Sequence, residues 1–141
     1  MAEAEGIPPT ASVASVGLGI RYIGEHCYAF SGPFPASSTT QTLFDFTTAG
    51  SGYIVATLTM TGPVKMTAVH LGFARGYQLD FNGQTVGVYK METGSQDMPT
   101  MTEAQILIPP STAVVLTCFD SGTDADYNGT ANITGRVYGV V

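Results

Sequence analysis

Tyr77 to Lys90 reads YQLDFNGQTVGVYK, and the Asn82-Gly83 dipeptide at its centre decides how the chain folds. Asn-Gly between two runs of aromatic and β-branched residues is the pairing expected for a type I′ hairpin, whose central residues need positive φ. Tyr77–Phe81 and Thr85–Lys90 are therefore expected to pair as antiparallel strands. Outward from this hairpin, a two-residue period recurs. In Tyr53–Thr61 (YIVATLTMT), Ile54, Ala56, Leu58 and Met60 fall on one face, with Thr57, Thr59 and Thr61 on the other. Glu103–Ile108 (EAQILI) sets Ala104, Ile106 and Ile108 on one face. Ala113–Asp120 (AVVLTCFD) directs Val114, Leu116 and Cys118 inward. Ala131–Val141 alternates Ile133, Val137 and Val141 against Asn132, Thr134 and Arg136.

Breaks fall at Gly32-Pro33, Ala49–Gly52, Gly62-Pro63, Gly94–Pro99, Pro109-Pro110 and Ser121–Gly129. Eight or nine short strands result, roughly a dozen residues apart, with no helical stretch. Loops of unequal length favour an all-β, antiparallel two-sheet β-sandwich with Greek-key crossings, a single jelly roll, over a meander barrel. Residues 20–141 are assigned to this domain. Residues 1–19 (MAEAEGIPPTASVASVGLG) carry neither period and are interrupted by Pro8 and Pro9. They are read as an extended or disordered N-terminal arm, with a reach on the order of 60 Å at ~3.3 Å per residue.

Composition narrows the function. At 141 residues the chain is expected to be one domain with a short extension. Charged residues make up 11%, against about 25% in an average soluble domain. Five Lys and Arg face eleven Asp and Glu, for a net charge of -6. That balance argues against nucleic acid as a partner, because no basic patch is there to neutralise phosphates. It argues equally against an anionic membrane surface, and no apolar run is long enough to span a bilayer. Thr, Ser and Gly supply the polarity that charge usually does. Met1–Gly6 (MAEAEG) is acidic where a secretory signal starts positive, so synthesis in a cytosol is expected.

Sites of chemistry are scarce. No GxSxG elbow is present, and neither His26 nor His70 sits in a triad signature. His26 and Cys27 are neighbours, but adjacent strand residues point to opposite faces. No catalytic residue is assigned. Gly17-Leu18-Gly19 lacks the third glycine and following helix of a dinucleotide fingerprint, and there is no P-loop, so no cofactor is expected. Cys27 and Cys118 match no metal spacing. They read as two buried thiols, or as a disulfide if the fold joins their strands. Asp120–Gly129 (DSGTDADYNG) offers Asp124, Asp126, Asn128 and Gly129 as the opening of a calcium loop. The position of its bidentate Glu is Gly135, so the segment is read as a solvated acidic loop, with calcium left open and no metal ligand assigned. Asn128-Gly129-Thr130 and Asn132-Ile133-Thr134 fit the N-glycosylation pattern, as a Thr-rich chain will by chance.

Ile106–Val115 (ILIPPSTAVV), the acidic loop and Asn132–Gly139 (NITGRVYG) resemble small β-sandwich structural proteins of tailed phages. Ser37–Phe46 (SSTTQTLFDF) before Tyr53–Leu58 (YIVATL) adds to the likeness, which spans about residues 37–139. The resemblance implies a non-enzymatic virion component made in the host cytoplasm. One form is a capsid cement, or decoration, protein on the capsid surface that binds the major capsid protein and stabilises the head, commonly as a homotrimer. The other is a receptor- or carbohydrate-binding head domain of a fibre or tail protein, reaching its ligand through loops with Tyr53, Tyr77 and Tyr127. Hydroxyl-rich and aromatic surfaces suit a protein that clamps a shell, because they give contact area with little dependence on salt.

Overall fold

The computed structural model describes residues 19–62, 64–65, 74–92, 101–121 and 127–139. Every regular element among them is a strand. In chain order these are β1 (Arg21–Ile23), β2 (His26–Phe30), β3 (Phe34–Pro35), β4 (Gln41–Thr47), β5 (Tyr53–Thr61) and β6 (Val64–Lys65). There follow β7 (Ala74–Phe81), β8 (Gln84–Glu92), β9 (Met101–Ile108), β10 (Ala113–Asp120), β11 (Tyr127–Gly129) and β12 (Ala131–Tyr138).

Nine of the strands form two antiparallel sheets, ordered β1-β2-β12-β5-β9 and β4-β10-β7-β8. Strand pairs β2/β12, β4/β10, β5/β9 and β7/β8 nest inside one another. The chain is therefore one long antiparallel ribbon rolled up on itself, the expected jelly roll. Its closed tip is Asn82-Gly83: Phe81 pairs with Gln84, and φ is 52° at Asn82 and 81° at Gly83. The hairpin most evident in the sequence is thus the innermost fold of the ribbon.

The core lies between the sheets and follows the expected parity. Ile54, Leu58, Met60 and Ile133 from one sheet meet Phe44, Leu79, Val114 and Leu116 from the other, all buried. Each contributes on the order of 1.5–3 kcal/mol by leaving water. Leu43 and Phe44 are buried in succession because the ladder to β10 slips at Leu116/Thr117, and this bulge turns Leu43 inward as well. Gly135, at an inward position of β12, lies against β5, where a Cβ would come within 2.8 Å of Ala56 Cβ and 2.9 Å of the Val55 carbonyl. Only glycine permits that approach.

The two ends of the sandwich differ. One is closed by tight turns: Thr48 Oγ1 donates to the Pro109 carbonyl at 2.9 Å and accepts from the Thr112 amide at 2.9 Å. At the other end, β3, β11 and β6 form a small three-stranded sheet. The segment read as a loop over Ser121–Gly129 therefore ends in a strand, because Asn128 and Gly129 find backbone partners in Pro35 and Phe34. Of the proposed arm, residues 1–18 lie outside the described residues; Ile20, which follows it, is fully buried.

Candidate functional site

The five-stranded sheet turns an unusual face outward. Its cross-strand rows follow from the register. Ile23, His26, Arg136, Val55 and Leu107 lie across one row, and Arg21, Tyr28, Thr134, Thr57 and Gln105 across the next. Phe30, Asn132, Thr59 and Glu103 form a third. Ile23 is 61% exposed, Leu107 56% and Phe30 52%, with Tyr28 and Val55 also exposed. Tyr53 and Tyr138 stack on this face with ring centroids 5.8 Å apart, and Arg136 lies over Tyr138. Arg136 also pairs with Glu25 at 2.6 Å, both well exposed. This face carries exposed apolar and aromatic side chains interleaved with threonines.

These residues were legible only indirectly. HCYAF in β2, YIV in β5 and ILI in β9 are apolar at both parities, which marks a strand covered on both sides or one that presents an apolar outer face. Alternation alone singles out the inner set.

The four-stranded sheet carries a shallow groove of about 450 Å³ on its outer face, lined by Gly76, Gln78, Asp80, Lys90, Thr117 and Phe119 among others. Gln78 Nε2 donates to Asp80 Oδ1 at 3.1 Å and to Thr85 Oγ1 at 3.2 Å, so the polar side of the groove is held in place.

Beneath the end capped by β3, β11 and β6 sits a buried ion pair that the sequence did not announce. Arg75 Nε contacts Asp120 Oδ1 at 2.5 Å, with both side chains fully buried. Asp120 Oδ2 accepts from the Ser37 amide at 3.1 Å, and Phe34 covers the guanidinium at 4.7 Å. Next to it, the Tyr77 hydroxyl donates to the Thr61 carbonyl. Burial acts to lower the Arg75 value, but the Asp120 hydrogen bond and nearby acidic groups outweigh it, so the net shift is upward. Gly129 packs onto the same guanidinium, where a Cβ would overlap Nη1. Asp120 therefore does not belong to a solvated acidic loop: it is an interior partner that anchors the strand end.

The other candidate residues separate. His26 is exposed and Cys27 fully buried, on opposite faces of β2. Cys27 and Cys118 belong to different sheets and are both free, so the buried-thiol reading holds over the disulfide. Burial pushes the Cys27 thiol up to about 11 and the Cys118 thiol up to about 12, so both stay protonated near neutrality. Tyr77 is corrected: it is not in a binding loop but fully buried in β7, and burial raises its phenol strongly. Tyr53 lies on the outer sheet face, whereas the side chain of Tyr127 lies outside the described residues.

For the calcium pattern, Asp124 and Asp126 lie outside the described residues, as does the side chain of Asn128. Its twelfth position, Gly135, sits in the middle of β12 between Ala56 and Cys27 and carries no ligand. Among the described residues no three His, Cys, Asp or Glu side chains gather as a metal cluster. His70 is also outside the described residues. Asn132 of the second glycosylation pattern is half-buried within β12, between Phe30 and Thr59.

The sequence matches no protein-family model and no curated protein. Among solved structures the chain is similar to part of the infectious bursal disease virus capsid. It aligns with a chain of that virus's icosahedral particle at 13% identity and TM-score 0.48, covering 86% of this chain and 34% of that one. For the virus's VP2 subviral particle the identity is 14% and the TM-score 0.44, over 96% of this chain and 38% of that one. Latent dimeric PorU from Porphyromonas gingivalis aligns at 17% identity and TM-score 0.45, over 88% and 14%. The chain spans less than two-fifths of the length of each of these proteins. The likeness is one of fold.

Proposed function

We propose that this chain is a non-enzymatic structural protein of a virus particle: a cement protein on the surface of a phage head that stabilises the shell by binding the major capsid protein. The observation that supports this reading is the outer face of the five-stranded sheet, with Tyr28, Phe30, Val55 and Leu107 exposed among threonines. Its strands run from three residues in β1 to nine in β5, and at about 4.8 Å spacing and ~3.4 Å per residue they make a face of roughly 540 Å². That is about two-thirds of the ~800 Å² per partner of a standard interface. A homotrimer, the state common among the phage proteins the sequence resembles, would present three such faces to the shell. The scarcity of charge favours the same use, since little desolvation of ions opposes contact, and the net charge of -6 keeps subunits made in the host cytoplasm apart from the packaged genome.

The non-enzymatic reading rests on the placement of reactive groups: His26 and Cys27 diverge, and both thiols are held protonated. The test is stoichiometry. Purified particles are expected to contain hundreds of copies, and the isolated protein should co-sediment with assembled shells until saturated. Removal of residues 1–19 should abolish that binding if the arm clasps a neighbour. A copy number of a few dozen or fewer, or no association with shells, overturns the cement role; unchanged decoration by the shortened chain overturns the arm's part in it.

A further inference from the structure

The two sheets pack through their inner faces, so the groove on β4-β10-β7-β8 points away from the proposed docking face. Its lining joins an exposed aromatic ring to hydroxyl, amide and charged side chains. Phe119, Gly76 and Lys90 lie side by side on one cross-strand row, and Thr117, Gln78 and Val88 on the next. Phe119 is 51% exposed. Beside it Gly76 has no side chain, and a Cβ there would meet nothing closer than the Phe119 carbonyl at 3.9 Å. The glycine therefore leaves an open floor between an aromatic ring and a lysine. The far side is lined by the amide of Gln78 and the carboxylate of Asp80, linked to each other and to the Thr85 hydroxyl.

We infer that this groove binds a neutral sugar, one or two hexopyranose units of a glycan. The chemistry of such a ring matches the two sides of the groove. A pyranose has an apolar C–H face that packs on an aromatic ring, and a rim of vicinal hydroxyls that both donate and accept. Phe119 supplies the first contact. The Asp80 carboxylate accepts from hydroxyls, Thr117 can do both, the Gln78 amide, whose N–H groups are held by Asp80 and Thr85, accepts through Oε1, and Lys90 donates. One cation and one anion line the groove, so it carries no net charge to select an ionised ligand, and the acidic chain as a whole repels anions. About 450 Å³ falls within the usual range of small-molecule sites.

The inference is independent of shell binding, because it is tested on the isolated chain. Methyl β-glucopyranoside and methyl β-galactopyranoside are titrated into the labelled protein and followed by amide resonances, with N-acetylneuraminic acid as an anionic comparator. A neutral glycoside should bind with a millimolar Kd and shift the signals of Gly76, Gln78, Thr117 and Phe119. Phe119→Ala should weaken binding roughly tenfold, the scale of one aromatic contact. Gly76→Val keeps every contacting side chain but fills the floor, and should abolish binding with the melting temperature retained. The proposal is overturned if neither glycoside shifts these signals, if the shifts survive both substitutions, or if the anionic sugar binds more tightly than the neutral ones.

Discussion

Asp120, at the end of β10, holds Arg75, at the start of β7, through a contact of 2.5 Å between fully buried side chains. The two residues lie on adjacent strands and pair in register, so the last β10–β7 rung at this end is held by an ion pair as well as by the ladder.

Breaking the pair should be costly. Asp120→Ala leaves the Arg75 guanidinium buried without its counter-ion and is expected to lose about 3–5 kcal/mol. Replacing both together by Arg75→Met and Asp120→Leu should cost much less, because no charge then remains to be solvated. The exposed Arg136–Glu25 pair is the contrast: Glu25→Gln should change stability by less than about 1 kcal/mol. Urea denaturation of the four proteins checks all three, and an Asp120→Ala variant within about 1 kcal/mol of the parent contradicts the role given to the pair.

Alkaline pH should unfold the protein progressively. The Cys27 thiol rises from 9.0 to about 11 and the Cys118 thiol from 9.0 to about 12, both through burial. Tyr22 rises from 10.0 to about 12 for the same reason, assisted by Cys27. In each case the unfolded chain loses its proton first. The stability these groups contribute is thus complete below about pH 9 and is lost as pH climbs toward the raised values. The denaturation midpoint should be insensitive to these groups near neutrality and fall above pH 9, and neither thiol should react with a disulfide reagent until the chain unfolds. Rapid labelling of the native protein at neutral pH would show the thiols to be accessible.

The Asn82-Gly83 turn should be sensitive to both of its residues for different reasons. Gly83→Ala meets no steric obstacle but must adopt a φ of 81°, at a cost of about 1–2 kcal/mol. Asn82 accepts from the Ala113 amide through Oδ1 at 2.9 Å, so Asn82→Ala should lose about 0.5–1.5 kcal/mol from that bond together with the favourable turn geometry. Thermal melts of each variant measure both. A Gly83→Ala protein as stable as the parent would mean that the turn relaxes to another type.

Charge placed on the outer face of the five-stranded sheet should separate binding from folding. Phe30→Asp and Leu107→Lys alter half-exposed side chains, so the melting temperature should move little. Co-sedimentation with assembled shells should weaken by at least about tenfold, as for loss of a central apolar anchor. The same substitutions at Val86, exposed on edge strand β8, should leave shell binding unchanged. Equal effects at both places would move the interface elsewhere.

The inner faces were legible because burial on one side of a strand imposes a period of two on the residues themselves. Ile54, Ala56, Leu58 and Met60, and likewise Val114, Leu116 and Cys118, lie where that period puts them. The outer faces were not, since exposed apolar residues such as Phe30 and Leu107 obey no rule of burial. Tyr77 was misplaced because tyrosine suits both a wet surface and a core position where its hydroxyl finds an acceptor, here the Thr61 carbonyl.

By itself, the sequence determined the longer strands of the core, their inward residues and the hairpin at Asn82-Gly83, all of them consequences of local backbone preference and alternation, but not the short strands β3, β6 and β11. Only the tertiary structure decided the rolled order of the sheets, the meeting of Arg75 with Asp120 and the separation of Cys27 from Cys118. It alone brought Phe119, Gly76 and Lys90 onto one row. The physical reason is that strand pairing joins residues far apart in the chain. Which strands become neighbours is set by the packing of the whole core, and no short stretch of residues carries that information.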